Sequence, residues 1–542
     1  MKRSVKNYLC IIGMLLTLYS FGLTMVGTQE ERSRQMEISQ TETVPTPMVS
    51  YVLAGLEGAG FAALLGWYIL SKRNEKTFSE VCATKSTGMR LSVSALGGCA
   101  SFALAALMLS GSLLHPSLPQ FSMPEIPNPV AVNPELEPEP GPEPEPEPEK
   151  PSETNPADTA PADQNAENET LDLQSTQLSG SASGTSVLAA GKDGSINLVA
   201  SSVSKTGDAE DVQTALHSGV NSALLVRLGG SASVLGSDLY TSANGAAAAA
   251  VSGTGSSAAV SDTTLHTDMP DSPAALTAFG GAMNLSQSNL LSAGSHSPAM
   301  LVNQGSSMSG STLLIETSGS LSPVAEVYGT LSASGLNANA MQSMAFWLHG
   351  GSKTEVLSST VSCSGSGQDG TDGLFVLDGL NEKAEEKKEK LSVEVNNSSI
   401  LFNPGSQAAL SAPVFNAVKA SGSITCIDSI LSTDNGLLLR LTDSTMELNL
   451  DTQSLYGRME LDQDSSLQIS LSNGSILSVS LNTAESGTGK ASIHLDATSI
   501  LSLTSDLYLD ALENDDATGS NIQTNGFALY IKGKPWTGTT QE

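Results

Sequence analysis

The run Ala223-Leu-Leu-Val-Arg-Leu-Gly-Gly-Ser-Ala-Ser-Val-Leu-Gly-Ser-Asp-Leu239 decides the fold, because the chain goes on to repeat its pattern. A short apolar run leads to a glycine corner and then to a Leu set among Ser and Thr. The pattern returns as Ala246 to Ala250 with Gly255 and Leu265, and as Leu276 with Gly280-Gly281 and Leu290. Met300-Leu301 with Gly305 and Leu313, Val324 with Gly329 and Leu336, and Phe346 with Gly350-Gly351 and Val361 complete the series. The corners at 230, 255, 281, 305, 329 and 351 lie 22 to 26 residues apart. A fixed period of that size marks a solenoid, in which each repeat buries its apolar side only against its neighbours.

Composition supports this reading. Of 542 residues only 4% are aromatic and 15% charged, while Ser, Gly, Ala, Leu and Asn fill the C-terminal part. Such a chain predicts a thin core of stacked aliphatic side chains, the kind a β-solenoid needs. Short apolar runs in a Ser/Asn/Gly background at a period near 24 point to a three-sheet parallel β-helix of about a dozen to fourteen coils. A net charge of −31 argues against nucleic acid, whose phosphates demand a basic surface. Of the five cysteines, Cys363 and Cys426 lie several repeats apart and are expected to stay unpaired. No CxxC spacing marks a metal site.

Upstream of the repeats the chain changes character twice. Residues 1–114 hold three apolar segments, Tyr8 to Gly27, Ser50 to Leu70 and Leu91 to Leu114, which read as a three-span membrane anchor. A signal peptide cleaved after Gly22 or Gly27 is the other reading of the first segment. Lys2, Arg3 and Lys6 precede the first segment, and Lys72, Arg73, Lys76, Lys85 and Arg90 fill the second loop. The positive-inside rule therefore puts the N-terminus in the cytoplasm and everything after Leu114 outside the plasma membrane. Ala54, Gly58, Ala62 and Gly66 place a small residue at every fourth position of the second span. This face admits a close helix neighbour, either the third span or a second copy of the chain. Residues 115–170 form a Pro/Glu-rich stalk, in which alternating Pro and Glu from Pro134 to Pro151 favour extended polyproline II over about 55 Å. The third region, 171–542, carries the solenoid.

Toward the C-terminus the alternation sharpens, as in Met446-Leu448-Leu450 and Leu467-Ile469-Leu471. The ending Ser499-Ile-Leu-Ser-Leu-Thr-Ser-Asp506-Leu-Tyr508-Leu, followed by Asn521-Ile522 and Asn525-Gly526-Phe-Ala-Leu-Tyr530-Ile531, resembles the final coil and closing hairpin of bacterial surface proteins with a right-handed parallel β-helix. The resemblance spans roughly residues 180 to 535. It implies a pectate-lyase-like helix displayed as an adhesin-like or glycan-contacting module.

A β-helix enzyme places clustered acids and a base on one exposed sheet. The best candidates, Glu447/Asn449/Asp451 and Glu460/Asp462/Asp464, lie 13 residues apart, about half a coil, and should face different sides. A 23- to 24-residue coil predicts Glu447, Ser470 and His494 in one outward column and Asn449, Ser472 and Asp496 in the next. Neither column brings two carboxylates within glycosidase range, so no catalytic residue and no cofactor is expected. Asp369 and Asp372, in Gln368-Asp-Gly-Thr-Asp-Gly373, hint at a calcium loop; a plain turn is the competing reading, because the terminal Glu of an EF-hand is missing. The expected function is a membrane-anchored surface module that binds glycans or surface proteins. A β-helix polysaccharide lyase or hydrolase, and a structural part of a membrane assembly, are the alternatives.

Overall fold

A computed structural model describes residues 154–365, 372–379, 389–403, 406–481 and 489–538. These residues form an all-β parallel solenoid. The first sheet has 15 strands, from Ala162–Ala166 to Ile522–Gln523, and the second has 14, from Thr170–Gln174 to Ala511–Asn514. The third has 10, from Gln177–Gly180 to Ile430–Ser432. Strands of one sheet come from successive coils, so fifteen of them stack over about 67 Å at about 4.8 Å per coil. The glycine period is the coil period: Leu224 pairs with Ala249, Ala249 with Ala275, and Ala275 with Met300.

The core is that stack seen from inside. Along the first sheet one inward column runs from Leu188 and Leu224 through the small Ala249 and Ala275 to Phe346, Phe375 and Phe415, and continues as Leu439 and Met459, all buried. The three rings stack with centroids 5.0 Å apart at each step. Composition predicted a thin aliphatic core; over these three coils one column of it is aromatic, while Leu348, Val356, Leu377 and Val393 keep the rest aliphatic. Cys363 and Cys426 are buried and free, as expected, and burial pushes both thiols up to about 12.

Each coil must turn without leaving backbone donors unpaired. Between the second and third sheets a residue in the left-handed region makes the corner, such as Gly236 (φ 57), Asp262 (φ 49) or Gln287 (φ 48). A buried Ser or Thr follows it and forms a ladder along the rod. Ser201 N–H donates to Ser237 Oγ (3.1 Å), Ser237 N–H to Thr263 Oγ1 (3.3 Å), and Thr263 N–H to Ser288 Oγ (3.2 Å). Each hydroxyl in turn donates to the carbonyl two residues back, as Ser237 does to Leu235 O at 3.0 Å. Buried Leu313 and Leu336 interrupt the ladder, which resumes from Ser359 to Ser398 and Ser429. Ser237→Ala removes the acceptor of a buried N–H without opening much volume, so a loss of about 1–3 kcal/mol is expected. Its measure is the denaturation midpoint against Ser242→Ala, a residue outside the ladder.

The third sheet ends at Ser432, and from there to Leu503 the coil alternates between the first and second sheets. Ser454–Leu461 is the longest strand; it carries a register shift where it pairs with Leu437–Thr442, near Gly457. With one corner gone the coil shortens. Thr445 pairs with Ser466, 21 residues on, whereas Ser421 pairs with Thr445, 24 on. This is the physical basis of the sharper alternation near the C-terminus.

Two segments lie against the outside of the first sheet. Its outward column reads Ala189, Leu225, Ala250, Leu276 and Leu301, an apolar stripe that would otherwise meet water. Helix α1, Val212–Ser218, covers part of it with Leu216, and the neighbouring Val220 adds to the cover. Asp211 caps this helix, accepting from Gln213 N–H at 3.1 Å, and Gly219 (φ 79) ends it. The stretch Gly207 to Ser218, polar in sequence, thus carries one apolar helix face. The second cover is the 3₁₀ turn Pro156–Thr159, which contributes Ala157. The Arg227 guanidinium pins the turn by donating to the carbonyls of Ala157 (2.8 Å) and Ala160. At the other end, Leu529–Ile531 pairs in parallel with Leu507–Leu509 and folds back on Lys534–Pro535. The closing hairpin therefore sits later than the sequence suggested, because Ile522–Gln523 still forms a rung of the first sheet.

Candidate functional site

The outward column of the first sheet changes chemistry halfway along the rod. After Leu301 it continues as Glu326, Trp347, Val376, Asn416, Arg440 and Glu460. Glu326 and Tyr328 occupy one coil, and Trp347 and His349 the next. The Tyr328 and His349 rings stack at 3.8 Å with an interplanar angle of 2°. Both rings address the same carboxylate: Tyr328 Oη donates to Glu326 Oε1 at 3.0 Å, and His349 Nε2 lies 3.2 Å from it. The Trp347 ring is 5.2 Å from that of His349. Its indole N–H is buried and has no hydrogen-bond partner among the described residues. Glu326, Tyr328 and Trp347 are half-buried, and the His349 side chain is buried. Tyr328 also packs on the apolar stripe that α1 covers with Leu216.

The signal for this patch was present as two pairs 21 residues apart, Glu326 with Trp347 and Tyr328 with His349. It is hard to read because Phe346 and Leu348, the inward neighbours, dominate the hydropathy of that coil.

The second sheet offers the opposite surface. Over five coils its outward positions carry no charge: Ser231 and Ser233, then Ser257 and Ala259, Ala282 and Asn284, Ser307 and Ser309, Thr330 and Ser332. Below them the face becomes charged at Lys353 and Glu355.

The acidic candidates are placed as expected in one respect. Glu447, Asn449 and Asp451 point outward from the second sheet, and Glu460 lies on the first. Ser470 stacks on His494 as expected, but the first member of each expected column is misplaced by two residues. Glu447 aligns with Gln468, while Asn449, Ser470, His494 and Glu513 form the real column. The cause is the 21-residue coil between Thr445 and Ser466, shorter than the assumed repeat. Glu460 is occupied by Arg440 (3.0 Å) and Arg458 (3.6 Å), and His494 stands 3.5 Å from Asp515.

Asp462 and Asp496 are corner fasteners. Asp462 accepts from Asp443 N–H at 2.9 Å and Ser465 Oγ at 2.5 Å. Asp496 accepts from the N–H groups of Asn473 (2.7 Å), Thr498 (3.0 Å) and Ser499 (2.7 Å). Burial pushes the Asp496 carboxyl up, but these donors outweigh it and hold it at about 2. A carboxylate depressed in the folded state stabilises fully above its unfolded value, near 4, and loses that contribution as pH falls toward 2. Asp496→Asn is therefore expected to flatten the acid limb of a stability–pH curve between about pH 4 and 2. Asp516 is held well below the carboxylate range by the hydroxyls of Thr518 and Ser520, likewise a turn fastener.

Of the calcium candidates, Asp369 lies outside the described residues. Asp372 is buried, and its backbone carbonyl accepts from Asn416 Nδ2 at 3.0 Å. Among the described residues, no three His, Cys, Asp or Glu side chains come close enough to hold a metal ion. The anchor, with its face Ala54, Gly58, Ala62 and Gly66, also falls outside them. No protein-family model, no curated protein and no solved structure matches the chain.

Proposed function

We propose that the solenoid is a binding and display module of adhesin-like type, held at the outer surface of the plasma membrane by the apolar N-terminal segments and lifted from it by the Pro/Glu stalk. Its partners are glycans or surface proteins, and its contact point is the patch of Glu326, Tyr328, Trp347 and His349. The observation that carries this reading is a partly exposed Trp347 beside Glu326 on the outer face of a sheet. A sugar ring presents an apolar C–H face to an indole and a rim of hydroxyl donors to a carboxylate. The uncharged Ser/Asn face of the second sheet extends a surface over which a polymer can lie. The charge bias of the N-terminal loops supports the orientation. Small residues at 54, 58, 62 and 66 support close packing of the spans, within one chain or between copies.

The polysaccharide-lyase or hydrolase reading is the weaker one. The carboxylates Glu460, Asp462 and Asp496 are each taken up by ion pairs or turn hydrogen bonds. The test is a glycan and matrix-protein array probed with the purified full-length chain, with cleavage assayed in the same wells. Saturable binding without cleavage is the expected result. Trp347→Ala should weaken it about tenfold or more, as truncating a central aromatic contact does. Cleavage of any polymer, or binding indifferent to Trp347, would overturn the reading.

A further inference from the structure

Two fully buried polar side chains meet beside α1, where the helical insertion leaves and re-enters the coil. Lys205 ends the strand Ser202–Lys205 with its side chain inward, in the column between Gly180 and Thr241. A Cβ at Gly180 would meet Asp163 Oδ2 at 2.4 Å, so that position of the column admits only glycine. Lys205 and Asn221 are both fully buried. Lys205 Nζ donates to Ala182 O at 2.9 Å and also to Gly207 O. Asn221 Nδ2 donates to that same Gly207 oxygen at 3.0 Å. A shared acceptor holds the two nitrogens within two hydrogen-bond lengths, about 6 Å at most. Asn221 Oδ1 is buried and has no hydrogen-bond partner among the described residues. A buried lysine amine beside a buried, half-satisfied carboxamide is a nucleophile facing an acyl group in a site that excludes water.

We propose that Lys205 and Asn221 are joined by an intramolecular isopeptide bond that staples the α1 insertion to the third sheet. Neutral Nζ attacks Asn221 Cγ; the Nζ–Cγ bond forms and the Cγ–Nδ2 bond breaks. The proton shed by Nζ goes to the departing nitrogen, which leaves as ammonia. Neither oxidant nor cofactor is needed. Burial lowers the pKa of Lys205 and so favours the neutral amine. The negative charges of Asp163 and Asp208 oppose that shift. Nζ needs to approach Cγ to about 3–3.5 Å, a side-chain movement of a few ångström.

The chain supplies its own assay. Lys192, Lys205 and Arg227 are consecutive tryptic sites. Trypsin does not cut after an acylated lysine. The denatured full-length chain is therefore expected to yield one peptide, Asp193 to Arg227, about 17 Da lighter than its sequence by the mass of ammonia. Two peptides ending at Lys205 and Arg227, or the joined peptide at full sequence mass, would overturn the proposal. Lys205→Met is expected to restore full mass. If the loss of about 17 Da persists in that variant, it belongs to a succinimide at Asn221, which also overturns the proposal.

Discussion

A chain carrying Phe375→Ala is expected to lose about 3–5 kcal/mol of stability, because the deletion strikes the middle of a three-ring stack. Phe375 is fully buried and touches Phe346 on one side and Phe415 on the other, each at 5.0 Å. Neither neighbour can close the gap, since each is held by its own strand one coil away. In a solenoid the void also weakens the coupling of two coils, so the denaturation curve should broaden as well as shift. Phe375→Leu, which keeps most of the volume, should recover the larger part. A shift no greater than that of exposed Tyr456→Ala would refute the stack as a source of stability.

Gly319→Ala is expected to be as damaging with far less change in volume. A Cβ at residue 319 would lie 1.8 Å from the carbonyl oxygen of Gly294, and one at residue 294 would lie 1.9 Å from that of Met269. The obstacle is backbone, so no rotamer relieves it; three successive coils come too close there for a side chain. A loss above about 4 kcal/mol, or local unfolding of the coil, should follow. Gly305→Ala is the contrast. Gly305 has φ +77 and faces open space, so only the left-handed backbone is penalised, at about 1–2 kcal/mol. Equal effects at the two positions would mean that close approach is not what selects glycine at 319.

The fold was legible because its period is written twice, in glycine corners and in apolar runs, and both repeat at the coil length. The hydroxyl ladder was legible only as composition. Serine looks like solvent-facing filler until the corner geometry turns Ser237 and Thr263 inward. The Glu447 column was misplaced because register over several coils multiplies any error in the repeat length, and one coil lost a corner between Thr445 and Ser466. The patch at Tyr328 and His349 escaped notice for a different reason. Its four residues are contiguous only across two coils, and no local pattern marks outward positions as shared. Lys205 and Asn221 meet across an insertion, where the period carries no information.

The way the chain enters the rod decides how it would answer to force. Asn155 Oδ1 accepts from Ser252 Oγ at 3.2 Å, on the fourth strand of the first sheet, yet the first coil begins only at Ala162. The chain thus runs back along the flank before it starts to wind. Tension arriving from upstream residues meets Asn155 first, then the grip of Arg227 on the carbonyls of Ala157 and Ala160, and only afterwards the first coil. The 3₁₀ turn acts as a strain relief: it gives way before the coils begin to unwind.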